Sequence, residues 1–163
     1  MAITGTLFAA AYTTFERALP RWRLKRAAHE IETAVRATRT KAILEREVVS
    51  MPIDLQGGRY EVIDRSAAGM TELVHDEEGE PRRVARLPKG ILFSEPGTPP
   101  TVSEPPQADG DLEIGFTPRG KLVSEEVPLF VYLGAPGHGM YARVGIDLAG
   151  NTRIQRYHEG VWR

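Results

Sequence analysis

A chain of 163 residues is long enough to form one domain with a hydrophobic core and barely long enough to form two. Its 41% hydrophobic and 26% charged residues are ordinary for a globular protein, and its net charge of −1 gives no overall attraction to nucleic acid or to an anionic membrane. The absence of cysteine excludes a disulfide framework and a thiolate metal site, but it does not identify the compartment.

Positive and negative charges are concentrated in different parts of the chain. From residue 21 to residue 46 only Glu30, Glu32 and Glu45 oppose a larger set of basic residues: Arg21, Arg23, Lys25, Arg26, Arg36, Arg39, Lys41 and Arg46. In the segment 95–111 the charged residues are all acidic: Glu95, Glu104, Asp109 and Asp111. Opposite charges on a nearly neutral chain favour complementary contacts between copies or relatives. Two ordinary solvated surfaces give the same pattern.

The N-terminal residues 1–12, MAITGTLFAAAY, are apolar or small and carry no charge. A membrane-spanning helix needs about 20 apolar residues, so this segment alone is too short to span a bilayer. A secretory signal is not indicated, because no basic region precedes the segment and no clear small-residue cleavage site follows it. The segment is therefore either the start of a buried helix or the second half of a membrane helix whose first half is absent.

A helix is predicted from Thr13 to about Arg46. Apolar or small residues recur there at steps of three and four and form one stripe: Leu24, Ala27, Ala28, Ile31, Val35, Thr38 and Ala42. The other faces carry Lys, Arg and Glu, and Arg39 is predicted to lie on the solvent side. Pro20 is expected to kink the helix or to mark its first turn. The alanines of the stripe allow a close approach to a neighbouring surface.

A period of two replaces the helical period after Glu47 and predicts β-strands. The extended runs 48–55 and 59–64 flank Gly57-Gly58 and predict a hairpin. Turn residues separate further predicted strands: Arg82–Leu87, Gly90–Ser94, Leu112–Thr117, Val127–Leu133, Tyr141–Leu148 and Thr152–Tyr157. The proline-rich segment at about 95–111 is predicted to be an exposed loop. Residues 1–46 thus form an N-terminal helix and residues 47–163 a β-rich globular domain, an α+β fold with the helix packed on an antiparallel sheet.

No catalytic, metal-binding or cofactor-binding constellation is apparent in the sequence. The run Gly115–Lys121 fits the start of a P-loop, but Leu122 stands where a magnesium-binding hydroxyl is required and Pro118 removes a backbone donor. A hairpin turn is favoured there, and the glycine-rich run 134–139 likewise predicts a hairpin loop. No serine sits in a nucleophile elbow. Metal-ligand spacing is absent from the histidines His29, His75, His138 and His158.

The order of these features resembles type IV pilins and type II secretion pseudopilins. Met1–Leu7, MAITGTL, is similar to the second half of their N-terminal segment, where a Met-Ala-Ile-x-Gly-x-Leu run is common. Arg26–Ile43 is similar to the GspH/FimT branch, whose alanine-rich helix ends in an Ala-Arg-x-x-Ala-Ile-like sequence. Leu87–Ile91 and Ile114–Lys121 match the proline-glycine turn and the Phe-x-Pro-x-Gly motif of that branch. The resemblance touches most of the chain, and the order of the motifs is more specific than any single motif.

The resemblance implies a structural subunit, not an enzyme, that assembles through its helix into a type IV pilus or a secretion pseudopilus. Its partners would be other pilin or pseudopilin subunits, the assembly platform and the inner membrane, with the globular domain in the periplasm. Small and apolar residues would lie in the membrane and later in the filament core: Ile3, Gly5, Leu7, Phe8, Ala9, Ala10 and Ala11. The residues that would hold the helix on the sheet are Leu24, Ala28, Ile31 and Val35.

The beginning of the sequence departs from this family. Its members start with a short basic leader, a cleaved glycine and a hydrophobic run with glutamate as the fifth mature residue, and none of these precedes the MAITGTL run. The expectation from the resemblance is a precursor with a longer N-terminal segment.

A second possible role is DNA binding, because some FimT-like pilins are linked to DNA uptake through a Gly-Arg-x-Arg turn. The nearest run, Gly150–Arg156, does not match that spacing. Arg153 and Arg156 are three residues apart, so in a strand without a bulge they point to opposite faces. Neither a recognition helix nor an aromatic stacking platform is predicted beside them. Further candidates for a phosphate-binding patch are Lys121, Arg143 and Arg163. A soluble binding module is a further alternative, and an enzyme comes third.

Overall fold

The structure is a computed structural model of the chain, and it describes residues 2–63, 71–75, 81–97, 111–124 and 127–163. One long helix, α1, extends over Ala2–Glu45, with its side chains described from Ala18 onward. The strands within the described residues are β1 Val49–Asp54, β2 Arg59–Glu61, β3 Thr71–His75, β4 Pro81–Arg86, β5 Asp111–Phe116, β6 Leu122–Val123, β7 Leu129–Ala135, β8 Met140–Ile146, β9 Thr152–His158 and β10 Val161–Trp162.

Helix α1 buries one continuous stripe against the strands. Positions three and four residues apart are nearly inaccessible to solvent from Leu24 to Ala42: Leu24, Ala27, Ala28, Ile31, Ala34, Val35, Thr38 and Ala42. The hydroxyl of Thr38 donates to the carbonyl oxygen of Ala34 at 2.9 Å, so the polar atom within the stripe has a partner inside the helix. The small alanine side chains let the helix axis lie close to the strands, because interaxial distance depends on the side chains at the contact.

The helix continues without interruption through Pro20, which is buried. Proline has no N–H and therefore removes one intrahelical hydrogen bond. Its neighbours Ala18, Leu19 and Arg21 are good helix formers, which favours a continuous helix despite this loss. The alternative that Pro20 marks the first turn is wrong, since the helix begins before it.

The first sheet is antiparallel and has the order β3-β4-β2-β1-β5-β6. Its centre is the pairing of β1 with β5, in which Met51 lies opposite Ile114, and both side chains are fully buried. Strands β1 and β2 form the predicted hairpin around Gly57-Gly58, where Gly58 has a φ of 63° and the N–H of Gly57 donates to the Asp54 carboxylate. Strands β5 and β6 form the hairpin predicted in place of a P-loop.

The second sheet is antiparallel and has the order β10-β9-β8-β7. Alternate side chains of β7 and β8 face α1 and are buried: Val131, Leu133, Ala135, Ala142, Val144 and Ile146. The free edge of β7 pairs with an irregular segment, because the N–H and carbonyl of Leu92 exchange hydrogen bonds of 2.9 and 2.8 Å with Gly134. The predicted strand Gly90–Ser94 is therefore only this isolated bridge. Gly90, with a φ of 85°, turns the chain immediately before it.

The predicted α+β class is confirmed: one long helix packs on antiparallel sheets, and a single hydrophobic core joins the helix to both of them. The other predicted strands correspond to β4, β5, β7, β8 and β9, and their predicted ends lie within two residues of the observed ones. Short strands β3, β6 and β10 were not predicted. Of the predicted proline-rich loop, residues 98–110 lie outside the described residues, and Asp111 already belongs to β5.

Candidate functional site: helix α1 and the outer face of the second sheet

The residues predicted to form a membrane and filament-core segment lie in the first turns of α1. Ile3, Gly5, Leu7, Phe8 and the alanines 9–11 are helical in backbone conformation. At about 1.5 Å per residue, the helix from Ala2 to Arg23 is roughly 33 Å long. It precedes Leu24, the first residue of the buried stripe described above.

The residues predicted to hold the helix on the sheet all lie in the hydrophobic core. Leu24 is 5% exposed, and Ala28, Ile31 and Val35 are completely buried. They share one cluster with the central residues of both sheets, including Met51 and Val144. One face of the C-terminal half of α1 is thus part of the core of the globular domain.

Polar contacts fix this half of the helix at its flanks. The Arg36 Nε donates to the Thr152 hydroxyl at 2.9 Å, and an Arg36 terminal nitrogen donates to the Glu32 carboxylate at 2.8 Å. The Thr152 hydroxyl in turn donates to Glu32 at 3.0 Å, which closes a triangle between α1 and the start of β9. Arg23 reaches the carbonyl oxygen of Lys89 at 3.3 Å. Part of the basic face that the sequence assigned to contacts between subunits therefore makes contacts within this domain.

Arg39 does not lie on the solvent side as predicted. It is half-buried, and its Nε donates to the carbonyl oxygen of Gly120 at 3.0 Å, in the turn between β5 and β6. Its side chain also packs against Gly150, where an added Cβ would stand 2.9 Å from the Arg39 Cδ. Arg39 follows Val35 by one helical turn, and the long arginine side chain covers the edge of the apolar stripe before reaching its acceptor.

Arg153 and Arg156 are both exposed, but they do not form one patch. The β8–β9 register runs without a bulge from the Ala142–Arg156 pair to the Ile146–Thr152 pair. Arg156 therefore shares the face of buried Ala142, whereas Arg153 lies opposite Gly145 on the outer face. Of the other candidates for the patch, Arg143 lies on the same face as Arg153, and Arg163 pairs through its backbone with Arg156.

The outer face of the second sheet carries a cluster of aromatic side chains that sequence reasoning missed. Consecutive ring pairs have centroids 5.2 to 6.3 Å apart, and we call the connected set the aromatic face: Phe130, Tyr132, Tyr141, Tyr157 and Trp162. All five are half-buried. They come from β7, β8, β9 and β10, so no single segment of the sequence is conspicuously aromatic. The signal that could have found them is the period of two within each strand, combined with the strand order.

Arg143 lies in the middle of the aromatic face. Its guanidinium carbon lies 4.1 Å from the Phe130 ring centroid and 4.5 Å from the Trp162 ring centroid. Its Nε donates to the side-chain oxygen of Gln155 on β9 at 2.9 Å. These distances are typical of cation–π contacts, and together with the Gln155 bond they hold the guanidinium in place.

Two glycines beneath the aromatic face are part of its construction. Gly145 is buried opposite Phe130, and an added Cβ would lie 3.0 Å from the Phe130 ring. Gly134 is buried opposite Tyr141, with the same 3.0 Å separation from that ring. Each ring therefore occupies the space that a side chain at the opposite glycine would need. Aromatic coverage of glycine is also used in designed sheets.

Burial and hydrogen bonding shift the pKa values of the Tyr60 and Asp147 side chains. Burial, assisted by the nearby Glu30 carboxylate, raises the pKa of the Tyr60 phenol well above its usual range. Hydrogen bonds from Asn151 lower the pKa of Asp147 in the turn between β8 and β9. No group of three or more His, Cys, Asp and Glu side chains that could hold a metal ion occurs in the part of the chain that the structure describes.

A cleft of about 610 Å³ separates the start of the packed helix from β3 and the end of β4. Trp22, which is 60% exposed, lines it together with Arg23 and Arg26, and the opposite wall carries the ion pair Arg86–Glu72. Among the described residues, four cations and two carboxylates line this cleft, and both carboxylates are paired, Glu30 with Arg26 and Glu72 with Arg86. Within the described residues, no helix has a stretch long and apolar enough to cross a bilayer.

Comparison with protein-family models gives no match, and comparison with curated proteins gives none either. Among solved structures, the chain is similar to the minor pseudopilin EpsH of the type 2 secretion system of Vibrio cholerae, with 16% identity and a TM-score of 0.49 over 81% of this chain and 95% of that one. It is also similar to the type IV minor pilin FimU of Pseudomonas aeruginosa, with 18% identity and a TM-score of 0.46 over 88% of this chain and 95% of that one.

Proposed function

We propose that the chain is a structural subunit, a minor pilin or pseudopilin, of a type IV pilus or a type II secretion pseudopilus. The observation that carries this proposal is the division of α1 into two parts. The stripe from Leu24 to Ala42 belongs to the domain core, whereas the preceding helical residues 2–12 are uncharged and apolar or small. The MAITGTL run and the ordered motifs of the sequence support the same assignment.

In this function the first part of α1 packs against the same part of neighbouring subunits. Helix packing without water depends on close van der Waals contact between small side chains, which Gly5, Ala9, Ala10 and Ala11 provide. Before assembly the same segment would lie in the inner membrane, with the globular domain in the periplasm. The partners are other pilin-like subunits and the assembly platform that adds them to the filament.

The second part of α1 connects the packed segment to the globular domain. A buried stripe on one helix face and polar contacts from Arg36 and Arg39 at its flanks hold the helix against both sheets. A subunit fixed by its N-terminal segment would therefore present its globular domain in one orientation. No step of this function requires a catalytic group or a cofactor.

Site-specific crosslinking tests the proposal, and the absence of cysteine makes it direct. Ala10→Cys places a single thiol in the proposed packing segment, and Ala27→Cys places one in the buried stripe as a matched control. The chain is co-expressed with the pilin-like subunits of its own genome, each carrying one introduced cysteine in the matching part of its N-terminal helix. Oxidation should form disulfides between these cysteines and Ala10→Cys and leave Ala27→Cys unlinked. Absence of crosslinks at Ala10, with intact piliation and secretion after deletion of the gene, would contradict the proposal.

A further inference from the structure

The outer side of the second sheet has an unusual composition for a solvent-facing surface. The strand register assigns to it, in chain order, Phe130, Tyr132, Gly134, Tyr141, Arg143, Gly145, Arg153, Gln155, Tyr157 and Trp162. No acidic residue occurs at these positions, and the two cations are arginines. Tyr, Trp and Arg are the residues most enriched among the side chains that dominate binding energy in protein interfaces.

This surface is held in one arrangement before any partner arrives. Phe130 and Tyr141 lie over buried glycines, and Arg143 is fixed by two rings and by Gln155. Ordering of mobile side chains is a main cost of association, so a surface that is already ordered binds more tightly for the same contacts. Tyrosine and tryptophan also have few rotatable bonds to immobilise.

The geometry favours a protein ligand over a nucleic acid. The ring pairs meet at interplanar angles of 44°, 56°, 88° and 59°, so none of them offers two parallel faces to successive bases. Arg143 is already engaged by two rings and Gln155, and Arg156 lies on the opposite face. Among the described residues, Arg153 is therefore the one cation on this face without such engagement. One available cation is too few for a binding mode that depends on several phosphate contacts.

The chemistry of the face selects for a ligand with carboxylates and proline rings. Aromatic-lined surfaces bind proline-rich segments because proline presents a rigid apolar surface with little conformational entropy to lose. The exposed Arg153 adds a preference for negative charge. The chain itself contains one such sequence, the segment 95–111, with prolines 96, 99, 100, 105 and 106, four carboxylates and no Lys or Arg.

We propose that the aromatic face of one subunit binds the acidic, proline-rich segment 95–111 of a second copy of this chain. The proposal rests on the function proposed above, since contacts between copies are what a filament subunit makes, and it assigns one surface of that contact. Carboxylates of the segment pair with Arg153, and proline rings lie against Tyr157 and Trp162.

Binding is measured on the isolated chain, independently of filament assembly, so its failure is distinct from failure of the crosslinking test. The chain has two tryptophans, and Trp22→Phe leaves Trp162 as the sole indole reporter within the aromatic face. A synthetic peptide of residues 95–111 should change the Trp162 emission in a saturable way, with affinity that falls as salt concentration rises. Replacement of the peptide prolines by alanine, or of its carboxylates by amides, should each reduce affinity at least about 3-fold, which corresponds to roughly 0.6 kcal/mol.

Two charge-matched variants locate the contact on the protein. Arg153→Gln and Arg156→Gln remove the same charge from the same strand, but only Arg153 lies on the aromatic face. Arg153→Gln should weaken peptide binding by roughly 2- to 5-fold, the range of one exposed ion pair, and Arg156→Gln should leave it unchanged. Equal effects of the two variants, unaltered affinity of both altered peptides, or no saturable binding of the native peptide would each overturn the proposal. Preferential binding of single-stranded oligo(dT) at the Trp162 reporter would overturn it in favour of a nucleic-acid surface.

Discussion

The Arg39 Nε donates a hydrogen bond of 3.0 Å to the carbonyl oxygen of Gly120, 81 residues away in the chain. The same side chain packs on Gly150, and a Cβ at Gly150 would stand 2.6 Å from the Gly120 oxygen. One arginine therefore joins the helix to the turn of the first sheet and to the turn between β8 and β9. This contact lies at the point where the helix and both sheets come together.

Removal of this arginine should lower stability. Arg39→Ala loses the bond to Gly120 and the packing of the aliphatic part of the side chain, so we expect a loss of about 1–2 kcal/mol in the free energy of unfolding. The control is Lys41→Ala, because the Lys41 ammonium forms an exposed 3.8 Å pair with Glu45. This variant should lose about 0.5 kcal/mol or less. Urea unfolding measures the free energy of unfolding of each variant, and the two values are comparable when the m-values are equal. Equal losses would mean that the Gly120 contact contributes nothing.

The close approach at Gly150 predicts an unusually sensitive position. Gly150→Ala must accept a φ of 78° and also displace the Gly120 oxygen or the Arg39 side chain. Gly90→Ala has a similar φ of 85° but no neighbouring atom within 4 Å. The left-handed conformation alone costs roughly 1–2 kcal/mol, so this is the loss expected at Gly90. Chemical unfolding should show a larger loss in the free energy of unfolding for Gly150→Ala than for Gly90→Ala. The difference measures the cost of the clash with the Gly120 oxygen and the Arg39 side chain. Equal losses would show that the turn moves to relieve this clash.

The buried stripe of α1 predicts a large difference between two apolar truncations. Ile31 is completely buried, whereas Leu44 is 76% exposed near the end of the helix. Ile31→Ala should destabilise the fold by about 2–5 kcal/mol because it leaves a cavity in the shared core. Leu44→Ala should cost about 0.5 kcal/mol or less. Similar small losses in denaturant melts would contradict the packing described for the helix.

The buried phenol of Tyr60 predicts loss of stability in alkali. Its pKa in the folded protein is raised, mainly by burial and further by Glu30, although Arg26 opposes the shift. The folded state therefore favours the neutral phenol. This contribution is complete below the unfolded pKa of about 10 and is lost as pH rises above it toward the folded pKa. Tyr60→Phe should lose less stability than the native chain between about pH 9 and 11 in thermal melts. A parallel decline of both proteins would exclude Tyr60 as the cause.

Local patterns were sufficient to predict the fold class and the longer strands. Positions three and four residues apart from Leu24 to Ala42 are the ones that the structure buries, because a helix packed on one side has only one face for apolar residues. Strands β6 and β10 were not predicted because each has only two residues, too few to show the alternation of a β-strand. Arg39 was wrongly predicted to lie on the solvent side of the helix because its side chain is charged. Its position one turn after Val35 places it beside the buried stripe.

The aromatic face could not be predicted from local sequence at all. Phe130 and Trp162 are on different edges of the second sheet, and only the strand order brings their rings to the same guanidinium. The register of β8 with β9 is also what separates Arg153 from Arg156. Both facts depend on pairing between distant segments, which a period within one strand does not encode.

The long buried stripe of α1 has a mechanical consequence. Tension applied along the helix axis from its N-terminal end would load Leu24, Ile31, Val35 and the flanking arginine contacts together, in shear, instead of opening them in sequence. Resistance to such force is set by the unfolding rate rather than by the equilibrium free energy. A domain attached in this way would be expected to stay folded under pulling for longer than its equilibrium stability alone suggests.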